Sequence, residues 1–580
     1  MVIPAATKSF NALVKDLDAV AKDSGACPRQ LVHAVLFAWQ KQSFPLLAKH
    51  ALYEGENLVC MEAVNKFSRW LSLQRFNDAA FWLSSAYAKW VGKRVQTEQA
   101  LYFTPPKLAD RVIDNLLERG ASLTSGHWHD PACGGAAFLV PTAQRMAQAL
   151  TLQGMGSAEV LKKVECQISG NDLDKTLLDL SRQFLWMALY PHVAATEHFP
   201  CFDLRNSDGL LSPSGEADAP DVVICNPPYR KLNAVETLRY AAKFQDVIRN
   251  QPNIYGLFIR EALRVVKPGG LVGLITPTSF LSGASFSKLR SRILGLSDIL
   301  QVDMLSDRTS MFIAVQQETV ISVLKTSLVE AREALATDIY LLSQDGTYGL
   351  VGQHPLSSTG SPWPIPRSIS DSELLDCAQR SSTRLEDYGY NPKIGHLVAF
   401  RDKRPRFSKK PKDRPNCCLV PILWAGDITN EGLDPGRKHR PNRTDYFVEV
   451  SSLSHTSVIS QPCVVLQRLT SNDQAQRLIA AHVPSDWQTS LGGFVAENHV
   501  IVLQSTPNKT WPPELMAKIL NSVVLNRLYR SISGATNVSV SELRDLPFPD
   551  PSRLILALSM TQDIEVALKL AFGLNQQVVG

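Results

Sequence analysis

Residues 127–140 read HWHDPACGGAAFLV, a strand ending at Asp130, a run of small residues, and then the start of a helix. Small residues at a strand-to-helix turn let the backbone approach a ligand where a larger side chain would stand in the way. Turns of this kind are common, so the segment takes its meaning from the residues downstream of it. The apolar stretch containing Ile168 ends in GNDLD, which puts Asp172 at the tip of a second strand, where a carboxylate can accept hydrogen bonds from two ribose hydroxyls. The plainer role for such an acid is to cap the helix beginning near Lys175, and Asp174 is better placed for that. Asp208, in NSDGLL, follows the next strand and can accept from an adenine amine. Three successive strand tips that each carry an acid form a cradle for a nucleoside. The stretch from Asp130 to Asp172 exceeds the roughly 20 residues of a simple dinucleotide fingerprint, so a nicotinamide dinucleotide fits poorly. Pro141 is costly inside a helix and tolerated at its first position, so the helix is expected to start later than the glycines suggest.

Around this segment, from about residue 98 to 325, short apolar strands (Val222 to Cys225, Leu271 to Ile275) alternate with helical stretches (Thr176 to Ala188, Leu257 to Val266). That alternation predicts an α/β fold, a doubly wound Rossmann-like parallel sheet covered by helices. Upstream, Phe10, Leu13, Val14, Leu17 and Val20 recur at helical spacing, and apolar helical patterning continues to Trp90. Downstream, HPLSSTGSPWPIP (residues 354–366) reads as a linker or long loop, and strand and helix signals mix less regularly. The expected organisation is a helical N-terminal subdomain (1–97), a catalytic domain (98–330) and a C-terminal mixed α+β domain (331–580).

A chain of 580 residues exceeds what one core usually supports. With 44% apolar and 20% charged residues it has the composition of a globular protein, and no window offers the roughly 18 uninterrupted apolar residues of a membrane span. The N-terminal MVIPAATKSF lacks the basic start and apolar run of a secretory signal, so a cytoplasmic location is expected. The ten cysteines include no Cys-x-x-Cys pair, so neither a zinc site nor a redox motif is expected; they should be reduced and mostly buried. The net charge of +5 is mild, but eight basic residues crowd into 401–414, and Arg437, Lys438, Arg440 and Arg443 come soon after. Such a run is either a solvated loop or a contact with a polyanion.

Residues 221–229, DVVICNPPY, run an apolar strand directly into Asn226, Pro227, Pro228 and Tyr229. The prolines fix the backbone and remove two donors, leaving strand-end carbonyls free to accept. An amine conjugated to a purine is a poor nucleophile because its lone pair is delocalised into the ring. The Asn226 side-chain oxygen and the Pro227 carbonyl can each take one hydrogen of such an amine, localising the pair, while Tyr229 can stack on the base for about 1–3 kcal/mol.

The ordered set FTPP (103–106), DPACGGAAF (130–138), GNDLD (170–174), NSDGL (206–210) and NPPY (226–229) resembles the adenine-N6 DNA methyltransferases of restriction-modification systems, in the order of the gamma class, the TaqI type. NIYGLFIREALRVVKPGGLVGLITPTSFL (253–281) and SMFIAV (310–315) extend the resemblance, which spans about residues 100 to 320. It implies S-adenosylmethionine as methyl donor, double-stranded DNA as partner, and a flipped adenine as target. By position, Thr104 and Pro105 would line the methionine end of the cofactor. The turn from Asp130 through Ala132, Cys133 and Gly134 would face it, with Asp172 on the ribose and Asp208 on the cofactor adenine. Asn226, Pro227, Pro228 and Tyr229 would hold the target adenine, with Phe312 a second stacking surface. Ala136 stands where the family usually has glycine, tolerable if the position packs helix on strand and harmful if the cofactor touches it. More loosely, PILWAGDI (421–428), GGFVAENHVIVL (492–503) and SVSELRDLPFPDP (539–551) resemble the target-recognition region of the group. The resemblance implies a monomer acting without metal or membrane, beside a separate endonuclease that shares its site.

Rival readings use the same tetrapeptide. Protein-glutamine methyltransferases of the release-factor type end soon after the catalytic domain, whereas some 250 residues lie beyond it here. RNA N-methylation is compatible with the motifs. A catalytically degenerate DNA-recognition protein has Ala136 as its only support. Cytosine C5 chemistry is disfavoured: it needs a cysteine nucleophile beside the cofactor cleft, and the Pro-Cys pair Pro462-Cys463 lies in the C-terminal part.

Overall fold

The computed structural model describes residues 4–50, 61–211, 219–249, 252–305, 318–327, 335–343, 347–356, 360, 362–411, 417–434, 445–470, 474, 476–506, 511–533 and 537–574. The chain forms two compact units, Met1–Phe280 with Ser285–Gly360, and Leu281–Ala284 with Ser361–Gly580.

The first unit is built on a nine-stranded sheet: β1 (Trp128–Asp130), β2 (Ile168–Asp172), β3 (Asp203–Asn206), β4 (Val222–Cys225), β5 (Leu271–Pro277), β6 (Ser297–Leu305), β7 (Thr319–Thr326), β8 (Ala336–Leu342) and β9 (Tyr348–Pro355). Their order is β3-β2-β1-β4-β5-β7-β6-β8-β9. Strands β1 to β5 are parallel, and β7 enters antiparallel between β5 and β6. The central strands are buried on both faces, as the run of four buried residues in β4 and seven in β5 shows. From β1 the chain winds outward through β2 and β3, then returns to lay β4 and β5 on the other side. This reversal opens a crevice beyond the carboxyl ends of β1 and β4, the place where open α/β sheets bind ligands.

Local chemistry fixes the helices beside that crevice. Asp174 caps the helix Lys175–Ala188, accepting from the amides of Thr176 (2.8 Å) and Leu177 (3.2 Å), which releases Asp172 from that duty. The helix after the small-residue turn spans Leu139–Leu152 and begins late, as expected, but Pro141 is its third residue rather than its first. The first four amides of a helix have no partner within it, so a missing N–H is harmless there.

The N-terminal segment is helical, with Pro4–Ser24, Pro28–Ser43, Met61–Ser72 and Phe76–Trp90 joined by aromatic contacts such as Phe10 on Trp82 at 4.6 Å. It shares one hydrophobic core with the sheet unit. Gln40 donates to Gln183 across a buried 2.6 Å contact, and the Tyr87 hydroxyl donates to the capping carboxylate of Asp174 at 2.8 Å. The sheet continues through β8 and β9, so this unit runs to Gly360, past the expected limit at 330; the division falls within the Pro/Ser-rich stretch.

The second unit is mixed α+β. A four-stranded antiparallel sheet orders Tyr390–Ile394, Val500–Ser505, Cys463–Gln467 and Ala480–His482, backed by helices including Pro513–Asn521 and Val523–Ile532. A five-stranded sheet carries Arg406–Phe407 at one edge. Of the nine described cysteines only Cys133, Cys225 and Cys463 are buried, and Cys27, Cys166 and Cys201 are exposed, which corrects the expectation of mostly buried thiols. Among the described residues no helix is long and apolar enough to cross a membrane.

Candidate active site

The crevice holds a cavity of about 560 Å³. Its floor is the turn after β1. Asp130 ends β1 almost fully buried, and its Oδ1 accepts from the Ala132 amide at 3.0 Å, which closes the turn. Burial pushes the Asp130 carboxyl up to about 8, and the nearby Asp172 adds to the shift. Cys133 is buried beneath the turn, and Gly134 takes a left-handed φ of +51° at the cavity wall. The Gly134 amide donates to Asp172 Oδ2 at 2.8 Å, and the Asp174 amide donates to Oδ1 at 2.8 Å. Asp172 therefore ties the first turn to the second while lining the same cavity, and burial raises its carboxyl to about 6 against the pull of these two amides. Leu173, beside it, leaves an apolar side chain 69% exposed over the cavity.

The third tip is tightly packed. A Cβ on Gly209 would stand 2.0 Å from the Pro131 carbonyl oxygen, so only glycine lets the turns after β1 and β3 touch. Asp208 lines the cavity, but its oxygens are already engaged. Oδ1 accepts from the Leu210 amide (3.0 Å), and Oδ2 accepts from the Tyr240 hydroxyl (2.8 Å) and pairs with Arg239 (3.0 Å). Both partners come from the helix Ala234–Phe244, whose Glu236 also forms a two-pronged ion pair with Arg230, the residue after the NPPY tetrapeptide.

Asn226 follows β4 and faces the same space. Its Nδ2 donates to Thr104 Oγ1 at 3.0 Å, and its Oδ1 accepts from the Tyr229 hydroxyl at 2.5 Å. That hydroxyl also lies 3.0 Å from the Ile275 carbonyl oxygen on β5. The Tyr229 ring meets Tyr255 edge-on at 6.2 Å. Thr104 is buried apart from 3% of its surface, just before the helix Pro106–Glu118.

Nine of the residues singled out from the sequence therefore line one cavity: Thr104, Asp130, Ala132, Cys133, Gly134, Asp172, Asp208, Asn226 and Pro228. Pro105 is buried and caps the helix start, its carbonyl accepting from the Leu108 and Ala109 amides, and it does not line the cavity. Pro227 and Tyr229, on either side of Pro228, do not line this cavity. Phe312 falls outside the described residues. Ala136 adopts φ +57°, fully buried and away from the cavity. Its methyl group packs into the core, so the departure from glycine costs about 1 kcal/mol of backbone strain and leaves the ligand space untouched. Sequence reading missed Arg230, Glu236, Arg239 and Tyr240, which line the cavity too. The capping box of Asn233 and Glu236 marked their helix, but no local pattern placed that helix at the crevice.

Residues 63–312 match the family described as Eco57I restriction-modification methylase. Over those residues the chain is similar to a restriction-modification methylase domain. Among curated proteins, the Type II methyltransferase M.BsuBI of Bacillus subtilis is 23% identical over 347 residues, and M.PstI of Providencia stuartii is 23% identical over 345. Each alignment covers 57% of this chain, and 66% and 65% of the respective relative, just under two thirds of its length. The solved structure of the Type IIL restriction-modification enzyme MmeI in complex with DNA shares the fold over 94% of this chain and 87% of its own, with a TM-score of 0.56 at 12% identity.

The methylase domain and its fold imply S-adenosylmethionine as methyl donor. The residues present fit that molecule. The cavity volume suits a small-molecule ligand of this size. The bare backbone at Gly134 allows close approach, Leu173 offers an apolar face, and Asp172 and Asp208 offer acceptors for hydroxyl and amine hydrogens. Asp172 and Asp174 together favour a ligand that carries positive charge on sulfur and nitrogen.

Proposed function

We propose that this protein methylates the exocyclic N6 amine of adenine in double-stranded DNA, as the modification activity of a restriction-modification system. The observation that carries the reading is the carboxamide of Asn226 at the β4 tip, sharing one cavity with the acids at the tips of β1 and β2 and just beyond β3. Bound S-adenosylmethionine supplies an electrophilic methyl group on sulfur, which leaves as a neutral thioether with the bonding electron pair. The chain supplies the rest. Asp172 accepts from the ribose and Asp208 from the cofactor adenine, and the Ala132 to Gly134 backbone faces the cofactor. The cofactor amine shares Asp208 with Arg239 and Tyr240. Thr104 stands at the cavity wall toward the methionine end, with Pro105 packed behind it.

On the target side, Asn226 Oδ1 and the Pro227 carbonyl each accept one N6 hydrogen. The lone pair then points at the methyl carbon, the N–C bond forms as the S–C bond breaks, and the amine gives up one proton to solvent. An adenine inside a duplex cannot reach this site, so it is extruded at a cost of a few kcal/mol, partly offset by stacking on Tyr229 and Phe312. The sheet-bearing part up to Gly360 is the catalytic part in this reading and the residues from 361 to 580 the target-recognition part. The described basic residues Arg401, Lys403, Lys409 and Lys410 are exposed for phosphate contact, whereas Arg404 is held by Asp402 and Ser457, and Arg406 pairs with Asp445. The protein acts as a cytoplasmic monomer beside a separate endonuclease.

The test is to incubate the protein with duplex DNA and S-adenosylmethionine, digest the product to nucleosides and identify the modified base, then map its sequence context in the genome of an expressing host. N6-methyladenine in one context is expected. N4-methylcytosine, or methyl transfer only to protein or RNA, overturns the reading. Asn226→Ala should abolish most transfer while leaving cofactor and DNA binding nearly intact.

A further inference from the structure

A carboxamide has two nearly isosteric ends, and Asn226 serves the target amine only while its oxygen end is held toward that amine. If Nδ2 faced an amine, N–H groups would oppose N–H groups and the nitrogen pair would not be localised. In the structure Nδ2 donates to Thr104 Oγ1 and Oδ1 accepts from Tyr229. Thr104 cannot drift away from this contact. It is almost fully buried, and the next residue is bound into the first turn of the helix Pro106–Glu118. The Tyr229 hydroxyl carries one proton and has two acceptors in reach, Asn226 Oδ1 at 2.5 Å and the Ile275 carbonyl at 3.0 Å. Burial holds its phenol well above the usual range, so that proton is kept at any working pH.

The geometry points to Thr104 as the positioning residue that keeps the Asn226 oxygen turned toward the target amine, with the Tyr229 hydroxyl occupying that oxygen in the free enzyme and passing to the Ile275 carbonyl when the amine arrives. This rests on the reading of Asn226 as the acceptor for the target amine. The exchange leaves no buried polar group unpaired at either stage. Before binding, Oδ1 is satisfied by Tyr229. After binding, Oδ1 is satisfied by the substrate N–H, and the tyrosine proton by a carbonyl that accepts without rearranging the sheet. It also separates two roles for Thr104, a cofactor contact and an anchor for Asn226, which predict different kinetics.

The experiment measures single-turnover methyl transfer at saturating cofactor, together with cofactor dissociation constants, for Thr104→Val, Thr104→Ser, Tyr229→Phe and the double variant Thr104→Val with Tyr229→Phe. Valine keeps the volume and removes the acceptor. Losing one orienting hydrogen bond should slow Thr104→Val transfer about tenfold, with cofactor affinity within about twofold of wild type, and Thr104→Ser should recover most of the rate. Thr104 and Tyr229 grip opposite ends of one amide, so the double variant should lose more than the product of the single losses. A Thr104→Val variant with weaker cofactor binding and an unchanged saturated rate makes Thr104 a cofactor contact and overturns the proposal. So do equal losses in the valine and serine variants, which would indicate packing alone, and strictly multiplicative losses in the double variant. If the valine variant does not fold, Thr104→Ser against Thr104→Ala gives the same comparison. Wild-type protein that methylates no adenine refutes the reading of function, whereas wild-type activity unaffected by Thr104→Val refutes this inference alone.

Discussion

Cofactor binding should depend on pH through two acids that titrate in different ranges. Asp172 is the first. Its carboxyl is raised to about 6 by burial, so it is about nine-tenths ionised at pH 7 and about one-tenth at pH 5. Only the ionised form accepts from both ribose hydroxyls, so apparent affinity for S-adenosylmethionine should fall by up to about tenfold over that interval. Asp172→Asn removes the charge-assisted bond, worth about 1.5–3 kcal/mol, and should weaken binding at pH 7 by about 10- to 150-fold while flattening the profile between pH 5 and 7. Asp130 is the second acid. Burial holds it up near 8, so it is mostly neutral at pH 7, and above pH 8 it gains a negative charge beside the site. That charge favours the sulfonium cofactor over its demethylated product, S-adenosylhomocysteine, which keeps the ammonium and loses the charge on sulfur. Calorimetric titration of both compounds at pH 5, 7 and 9 and constant ionic strength should therefore show the lower step for both ligands alike and a larger upper step for the sulfonium. A wild-type profile flat from pH 5 to 7, or an Asp172→Asn profile that keeps the step, refutes the assignment of Asp172 to the ribose.

Three further outcomes are open to direct measurement. Because the Asp130 carboxyl rises from 3.8 to about 8 on folding, the folded state binds the extra proton; the stability this contributes is full below pH 3.8 and lost as pH rises through about 8. Asp130→Asn should therefore raise Tm relative to wild type at pH 9 and change it little at pH 4, and the opposite ordering would show that the carboxylate is stabilised in place. A Cβ on Gly135 would stand 2.2 Å from Ser84 Oγ, so Gly135→Ala should cost about 1–3 kcal/mol in thermal unfolding, and Ser84→Ala should restore part of it if the clash is the cause. Neutralising Lys409 and Lys410 should weaken binding to every duplex sequence alike and flatten the salt dependence by about one unit of slope per lost phosphate contact; an unaltered slope marks the segment as solvated.

The parts of the site legible in the sequence were those written in consecutive residues. Asp130 is followed at once by a run of small residues and Asp172 by a helix cap, so both were placed at strand ends by local pattern, and Asp208 lies two residues beyond β3. Asn226 was placed in the same way, because two prolines cannot continue a strand that β4 had just completed. The capping role of Asp174 was readable too, since its amide partners are two and three residues away. The extension of the sheet through β8 and β9 was not legible. Their side chains mix exposed, half-buried and buried positions, and nothing in that pattern says which sheet the strands join.

What the sequence withheld is the long-range pairing that gives those tips their chemical state. Thr104 and Asn226 are 122 residues apart, Asp208 and Tyr240 are 32 apart, and Tyr229 and Ile275 are 46 apart. Each pairing changes a role that composition alone would assign. Asp208, expected as an open acceptor, is already clasped by Arg239, Tyr240 and the Leu210 amide. Any amine it accepts must therefore share or displace a partner that belongs to the helix Ala234–Phe244. That helix begins five residues after Tyr229 and is tied back to Arg230 through Glu236. In the proposed site, an amine arriving at Asp208 would therefore act on the same helix that holds Arg230, the residue after the Asn226–Tyr229 tetrapeptide.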